Sequence, residues 1–409
     1  MSSLARVVDG LESRFETIRS TPGLPWPLDD APPPAHAVEI GRSRDGRPIH
    51  AYRVGDGGRR VSLIAGCHAD EPVGPRLLGR FVPYLYGLDR GDPLVEDIEW
   101  WIIPHLNPDG AALNAPWQHP GAEAYDFAEY LPGRVRELPG DDIEFGFPNP
   151  TAAGRGGSDG GAGQADRVGP RDEGARPEPA AAAGWWAGAD GPFDLHLTLH
   201  GMAWAAGPWF LIEPAWIDRT APLRAYLAER VRELGYRLHD VERHGEKGFV
   251  RIERGFATRP DSVAMREHFL ALEDLETAAR FRPNSMEHIR SLGGDALTLV
   301  SEMPLFILPG VGERIGPPDP KLEEWRERIA GWQMRATVAA DRRGARGAGD
   351  EGGAAGDEGG ATGGEAGADD AVATAVRDEA QGAGLSAMPV TDQMRLQWAL
   401  ISAALVTVA

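Results

Sequence analysis

Cysteine is almost missing from this chain: Cys67 is the single one among 409 residues. One thiol excludes an intrachain disulfide framework, so any stable fold has to rest on a buried core. Basic charge is scarce as well, with 42 Lys and Arg against 62 Asp and Glu and a formal net charge of −20. Proteins that track a phosphate backbone need a basic surface, so this balance argues against a nucleic-acid partner. Long apolar runs are lacking too. The longest late one, Trp398 to Ala409, is too short to span a bilayer. The opening MSSLARVVDGLESRFETI lacks the basic start, apolar stretch and small-residue cleavage site of a secretion signal, and reads as an amphipathic helix. No membrane partner and a cytoplasmic location are the resulting expectations. No internal repeat is evident.

A chain of 409 residues suffices for one large α/β domain or two modest ones. Residues 1–35 read as a helix and a Pro-rich lead-in, and the main domain is expected over 36–341. HAVEIGRSRDGRPIHAYRVG reads as a β-hairpin, two short alternating runs around Ser43–Asp45 and Gly46. VSLIAG (61–66), EWWIIPHLNPDG (99–110, ending in a turn sequence), FDLHLTLHG (193–201) and ALTLVSEMPLF (296–306) read as strands, mostly buried. A helix follows the first of these, with Pro72 in its first turn and Asp70 as its cap. Residues 220–238 form an amphipathic helix, and 151–175 a Gly-rich loop leading to a helix near Glu178. From 342 to 384 the chain is nearly all Gly, Ala, Asp and Glu without an aromatic, a composition expected to stay disordered. A C-terminal helix over 385–409 completes the plan.

Chemistry concentrates where strands end. A catalytic zinc centre needs three neutral or anionic side chains and one position open to water. His68 and Glu71 form H-x-x-E at the point where a buried strand gives way to a helix. Open α/β sheets place their sites at such carboxyl ends. His200 ends another strand and could supply the third ligand; His196, on the same strand face, is its competitor. Glu302 lies in an apolar strand, where a carboxylate is costly without a partner or a task. Beside a metal-bound water it would serve as general base. Cys67 reads as a small buried packing residue, nothing in the spacing of His105 and His119 supports a metal role, and Trp185–Trp186 and Trp204/Trp209 fit either an aromatic substrate pocket or core and rim packing.

Taken in order, these segments resemble the zinc carboxypeptidase superfamily, the funnelins related to carboxypeptidase A. EIGRSRDGRPIHAYRVG resembles the family's early hairpin, GCHADEPVG its first-ligand loop and PHLNPDG its N-P-D-G turn. Phe193 to His200 resembles the third-ligand strand, a register that favours His200 over His196, and NSMEHIRSLGGDALTLVSEMP resembles the closing segment with Glu302 as catalytic glutamate. The likeness spans roughly 37–310. It implies a mixed, mostly parallel eight-stranded sheet flanked by helices, a Zn²⁺ cofactor on His68, Glu71 and His200, and a peptide or small amide substrate. It further implies Arg134 as the oxyanion group, with Arg136 as second choice, and Asp142 hydrogen-bonded to a ligating histidine.

Departures from the family bear on substrate. Where the family has Asn-Arg to grip a terminal carboxylate, this chain has Glu144 and Phe145. Arginine holds a carboxylate through two parallel hydrogen bonds, phenylalanine through none, and Glu144 would instead attract an amine. The family's mobile tyrosine is also missing, and Arg280 or Arg282 stands nearby, Arg282 being the candidate substrate contact. The sequence therefore points to retained hydrolytic machinery with an atypical amide substrate. Two competitors remain: an N-acyl amino acid deacylase of the aspartoacylase or succinylglutamate desuccinylase kind, and a metal-binding relative without catalysis.

Overall fold

The computed structural model describes residues 10–25, 34–149, 176–240, 245–312, 319–350 and 363–409. The expected Gly-rich loop at 151–175 lies outside these residues, as do residues 1–9 and 26–33 of the 1–35 lead-in. Ten strands form one sheet: β1 (Val38–Arg42), β2 (Pro48–Val54), β3 (Arg59–Ala65), β4 (Ile98–Ile103), β5 (Leu195–Ala205), β6 (Trp209–Ile212), β7 (Arg251–Glu253), β8 (Phe256–Thr258), β9 (Leu297–Ile307) and β10 (Ser386–Ala387). Their order is β1-β2-β4-β3-β5-β9-β6-β8-β7, with β10 paired to β9.

The centre, β4-β3-β5-β9, is parallel, and the flanking pairings are antiparallel except β6–β8. The mixed α/β sheet expected from the sequence is thus formed, with ten strands rather than eight. The surplus comes from short pieces such as the two-residue β10 and the three-residue β7, too brief for alternation to mark them. Central strands need apolar residues on both faces. IEWWII of β4 is buried at all six positions, and LTLVSEMPLFI of β9 is interrupted by Glu302.

Alternation divides the core. Val61, Leu63, Leu197, Leu199 and Leu299 face one layer, made by the helices Val73–Tyr86, Ala221–Glu233 and Val390–Thr407. Ile64, Trp101 and Ile103 face the other, made by the helices Pro177–Trp186 and Ser285–Ser291. In β5 the residues pointing toward this second layer are His196, Thr198 and His200, so polar groups stand there in a row. Among the described residues, no helix is long and apolar enough to cross a membrane.

Two local expectations change. Residues 342–384 are not wholly unstructured: helices Pro320–Asp350 and Gly363–Gly382 run into this tract, and residues 351–362 lie outside the described set. Asp369, Val376 and Ala380 are buried there, and Glu379 accepts Trp332 Nε1 at 2.9 Å. A composition poor in aromatics still suffices when small apolar residues recur at helical spacing against an existing core. Asp70 is also not the cap of Val73–Tyr86; Pro72 stands there without a side-chain cap, because Asp70 is engaged by arginines.

The C-terminal helix Val390–Thr407 is a core element. Trp398 is fully buried, packs at a tilt against Phe81 with ring centroids 5.1 Å apart, and donates Nε1–H to the Leu11 carbonyl at 3.0 Å. Trp398→Phe removes that hydrogen bond, leaving the carbonyl to the Arg14 N–H at 3.1 Å, and takes away part of a packed ring, so a loss of about 1–3 kcal/mol is expected in urea unfolding. An unchanged midpoint would mean that this helix is not integral to the core.

Candidate metal centre

The first two candidate ligands stand in the loop after β3. Gly66 leaves the strand at φ +68°, and a Cβ there would sit 2.8 Å from His105 Nδ1. Both the left-handed backbone and the close ring demand glycine. Beyond it the loop is pinned from several sides. Leu106 N–H donates to the Ala65 carbonyl at 3.0 Å, and Gln118 Nε2 to the Ala69 carbonyl at 2.9 Å. Asn107 donates to Glu137, whose other oxygen accepts Ala69 N–H at 3.4 Å. The N-P-D-G segment opens the helix Pro108–Asn114, with Asn107 Oδ1 accepting Gly110 N–H at 2.8 Å. Asp109 accepts Ser43 Oγ–H at 2.6 Å and Arg47 Nη1 at 2.7 Å. Hairpin and N-P-D-G segment thus brace one another and hold the ligand loop from outside.

His68, Glu71 and His200 meet at one point. Glu71 Oε1 lies 2.8 Å from His68 Nδ1, and Oε2 lies 2.7 Å from His200 Nδ1. The two Nδ1 atoms are 3.1 Å apart. Gly201 N–H adds a bond to Glu71 Oε2 at 3.2 Å. All three donor groups lie within 4.8 Å of one another. Two imidazoles and a carboxylate converging in this way are the donor set a divalent cation takes, and they fit zinc. Burial opposes the charge of Glu71, yet His68, His200 and Arg136 hold its carboxyl well below the usual range.

Glu302 stands beside His200, the two being register partners in β9 and β5. Burial, and then the negative charge of Glu71, push its carboxyl up to about 7. A value near neutrality suits a group that accepts and returns a proton. The arginines divide differently from expectation. Arg134 Nε donates to buried Asp70 at 2.7 Å, and its guanidinium lies over the Tyr130 and Trp204 rings. Arg136 Nη1 reaches both Asp70, at 2.9 Å, and Glu71 Oε1, at 3.0 Å. Arg136 therefore touches the ligand cluster, while Arg134 stands one residue further out.

Three other candidates are placed otherwise than the sequence suggested. Asp142 accepts the Phe145 backbone N–H at 2.9 Å instead of an imidazole, closing a short turn. Glu144 does not face outward. It is buried, accepts Ser285 Oγ–H at 2.9 Å and sets Oε2 3.4 Å from His200 Nε2. Phe145 is buried against Phe281 with ring centroids 5.4 Å apart. Arg282 joins this segment by donating its backbone N–H to the Phe145 carbonyl at 3.0 Å. Arg280 pairs with exposed Glu276 at the surface. His196 is the satisfied core histidine, bonded to Ser62 and Thr198, with burial holding its pKa down at about 3. Cys67 is buried and unpaired in a disulfide sense, burial and the neighbouring Glu144 keeping its thiol protonated. The role of Glu144 was missed, because its partners Ser285 and His200 lie far from it in sequence.

Residues 29–209 match the model of a zinc carboxypeptidase family, Peptidase_M14. Over that stretch the chain resembles the zinc carboxypeptidases. It is 33% identical over 84 residues to carboxypeptidase SOL1 of Arabidopsis thaliana, a stretch of 18% of this chain and 17% of that one. It is 29% identical over 93 residues to the inactive metallocarboxypeptidase ecm14 of Talaromyces stipitatus, covering 19% of this chain and 16% of that one. The matches thus span under a fifth of the length of these relatives. A solved metallo-carboxypeptidase from Burkholderia cenocepacia shares 16% identity over 72% of this chain and 59% of that one, at a TM-score of 0.36. His68, Glu71 and His200 form a cluster of donors that could hold a metal ion.

Proposed function

We propose that this carboxypeptidase relative is a zinc-dependent hydrolase that cleaves an amide bond in a peptide or modified amino acid. The convergence of His68 Nδ1, His200 Nδ1 and both oxygens of Glu71 carries this reading. Zinc held there supplies a Lewis acid for the carbonyl and lowers the pKa of a bound water. Glu302, beside His200 and poised near neutrality, takes the proton of the attacking water and returns it to the leaving amine. Arg136, already at the ligand cluster, is the nearer cation for the developing oxyanion; Arg134 steadies Asp70 and through it Arg136.

Substrate selection differs from plain C-terminal trimming. Glu144 and Phe145 offer no donor to a terminal carboxylate, and both are buried. Hydrogen bonds to charged groups contribute roughly 1.5–3 kcal/mol, about ten- to a hundred-fold in binding, wherever a clamp exists. Peptides with free and amidated C-termini are therefore expected to be hydrolysed with kcat/KM values within about three-fold of each other. A preference of ten-fold or more for the free acid would reverse this assignment. A cytoplasmic setting belongs to the same proposal, and an unpaired Cys67 is compatible with it.

Metal analysis of the purified protein, followed by an amide-substrate panel with and without chelator, tests the whole reading. Near-stoichiometric zinc and chelator-sensitive hydrolysis of peptides are the expected results. Turnover of N-acyl amino acids alone would establish the deacylase reading instead. Stoichiometric zinc without hydrolysis of any amide would mark a non-catalytic relative.

A further inference from the structure

The second layer of the fold contains a continuous polar chain that the metal cluster does not explain. Ser62 Oγ lies 3.0 Å from His196 Nδ1, the two being register partners in β3 and β5. His196 Nε2 lies 3.3 Å from Thr198 Oγ1, and Thr198 Oγ1 lies 3.2 Å from Ser285 Oγ. Ser285 Oγ–H donates to Glu144 Oε1 at 2.9 Å, and Glu144 Oε2 lies 3.4 Å from His200 Nε2. Ser62, His196, Thr198 and Ser285 are all fully buried, and Glu144 and His200 nearly so.

One assignment of hydrogens satisfies the chain in a single direction. A carboxylate only accepts, so Ser285 must donate to it and is left to accept from Thr198. Thr198 in turn accepts Nε2–H of His196, and His196 Nδ1 accepts the Ser62 hydroxyl. Every donor then points toward Glu144, a polarity that favours its ionised form and fixes its plane. The free end of that carboxylate faces His200 Nε2. A proton held on Nε2 leaves the lone pair on Nδ1, the nitrogen 2.7 Å from Glu71 and 3.1 Å from His68. Carboxylate–histidine pairs of this kind orient a metal ligand and raise its basicity.

We propose that Glu144, held by the Ser62–His196–Thr198–Ser285 chain, is the positioning residue for His200, fixing its ring and tautomer for the cation. This explains a buried carboxylate where a substrate contact was expected, and a buried histidine that ligates nothing. It rests on the metal-centre reading of His68, Glu71 and His200.

The test measures zinc affinity by chelator competition and the His200 tautomer by long-range ¹⁵N–¹H spectra of the zinc-loaded protein. Wild type is expected to bind one zinc with His200 as the Nε2–H form. Glu144→Gln should bind zinc roughly ten- to a hundred-fold more weakly and lose the single tautomer signature. Ser285→Ala and Thr198→Val, which leave the carboxylate in place, should give the same change to a smaller degree. Zinc affinity within two-fold of wild type in folded Glu144→Gln, or in both chain variants should Glu144→Gln not fold, would overturn the assignment. Failure of the wild type to bind zinc would instead remove the metal-centre reading itself.

Discussion

Glu302→Gln is expected to lower kcat by roughly a hundred- to ten-thousand-fold, the span that loss of a positioned general base produces. Zinc content should stay at the wild-type level. The amide keeps the size of the side chain and the pairing of β9 with β5, and Glu302 is not among the converging donors. What it cannot do is accept a proton. KM should change little, because the group acts on the attacking water and the leaving amine rather than on the bound ground state. Stability follows a definite sign. The folded-state pKa of about 7 stands above the ordinary carboxylate value, so ionising Glu302 disfavours the metal-free fold as pH rises between the two. Glutamine removes that charge, and above neutral pH the metal-free variant should unfold no more easily than wild type. Metal-loaded Glu302→Gln that turns over amides at the wild-type rate would remove Glu302 from the mechanism.

The meeting of His68, Glu71 and His200 was legible because these residues sit at or just after the points where strand periods break. VSLIAG ends in Gly66, which the structure holds at φ +68°, and FDLHLTLHG ends in His200 followed by Gly201. Alternation in β5 even placed His196 and His200 on one face, which the structure repeats with His196 bonded to Ser62 instead of the ligand cluster. The division of labour between Arg134 and Arg136 was not legible. Both follow the helix Phe127–Gly133 at a spacing of two in extended chain, and only the position of buried Asp70 decides which one reaches Glu71. Glu144 was misjudged for a related reason. Its surroundings come from Ser285, which is 141 positions away, and from His200. No local pattern reports such a contact. The short strands β7, β8 and β10 escaped because two or three residues carry no period. The helix Gly363–Gly382 escaped because composition was weighed without the core that covers Val376 and Ala380.

Glu71→Ala is the second large effect, and it acts on the metal rather than on the chemistry. Structural zinc binding in small peptides amounts to about 10–16 kcal/mol shared among four ligands, so one ligand is worth roughly 2.5–4 kcal/mol, or about sixty- to eight-hundred-fold in affinity. The expected loss lies at the upper end because Glu71 also neutralises its surroundings. Its two oxygens meet His68, His200, Arg136 and the Gly201 N–H, so truncation removes the one carboxylate that both imidazoles and the guanidinium share beside a dicationic metal. Glu71→Gln should fall between the two, since the amide keeps one acceptor oxygen but loses the charge. Chelator-competition titrations on the three proteins measure the series directly. Folding is read separately by far-UV circular dichroism, because burial of Glu71 among cations makes its loss a strain on the metal-free chain as well. A graded decline in the order wild type, Glu71→Gln, Glu71→Ala is the signature of a ligating carboxylate. Equal zinc affinity in all three would mean that the cation, if bound, is held by other residues, with buried Cys67, Glu144 and His200 the remaining set of three donors among the described residues.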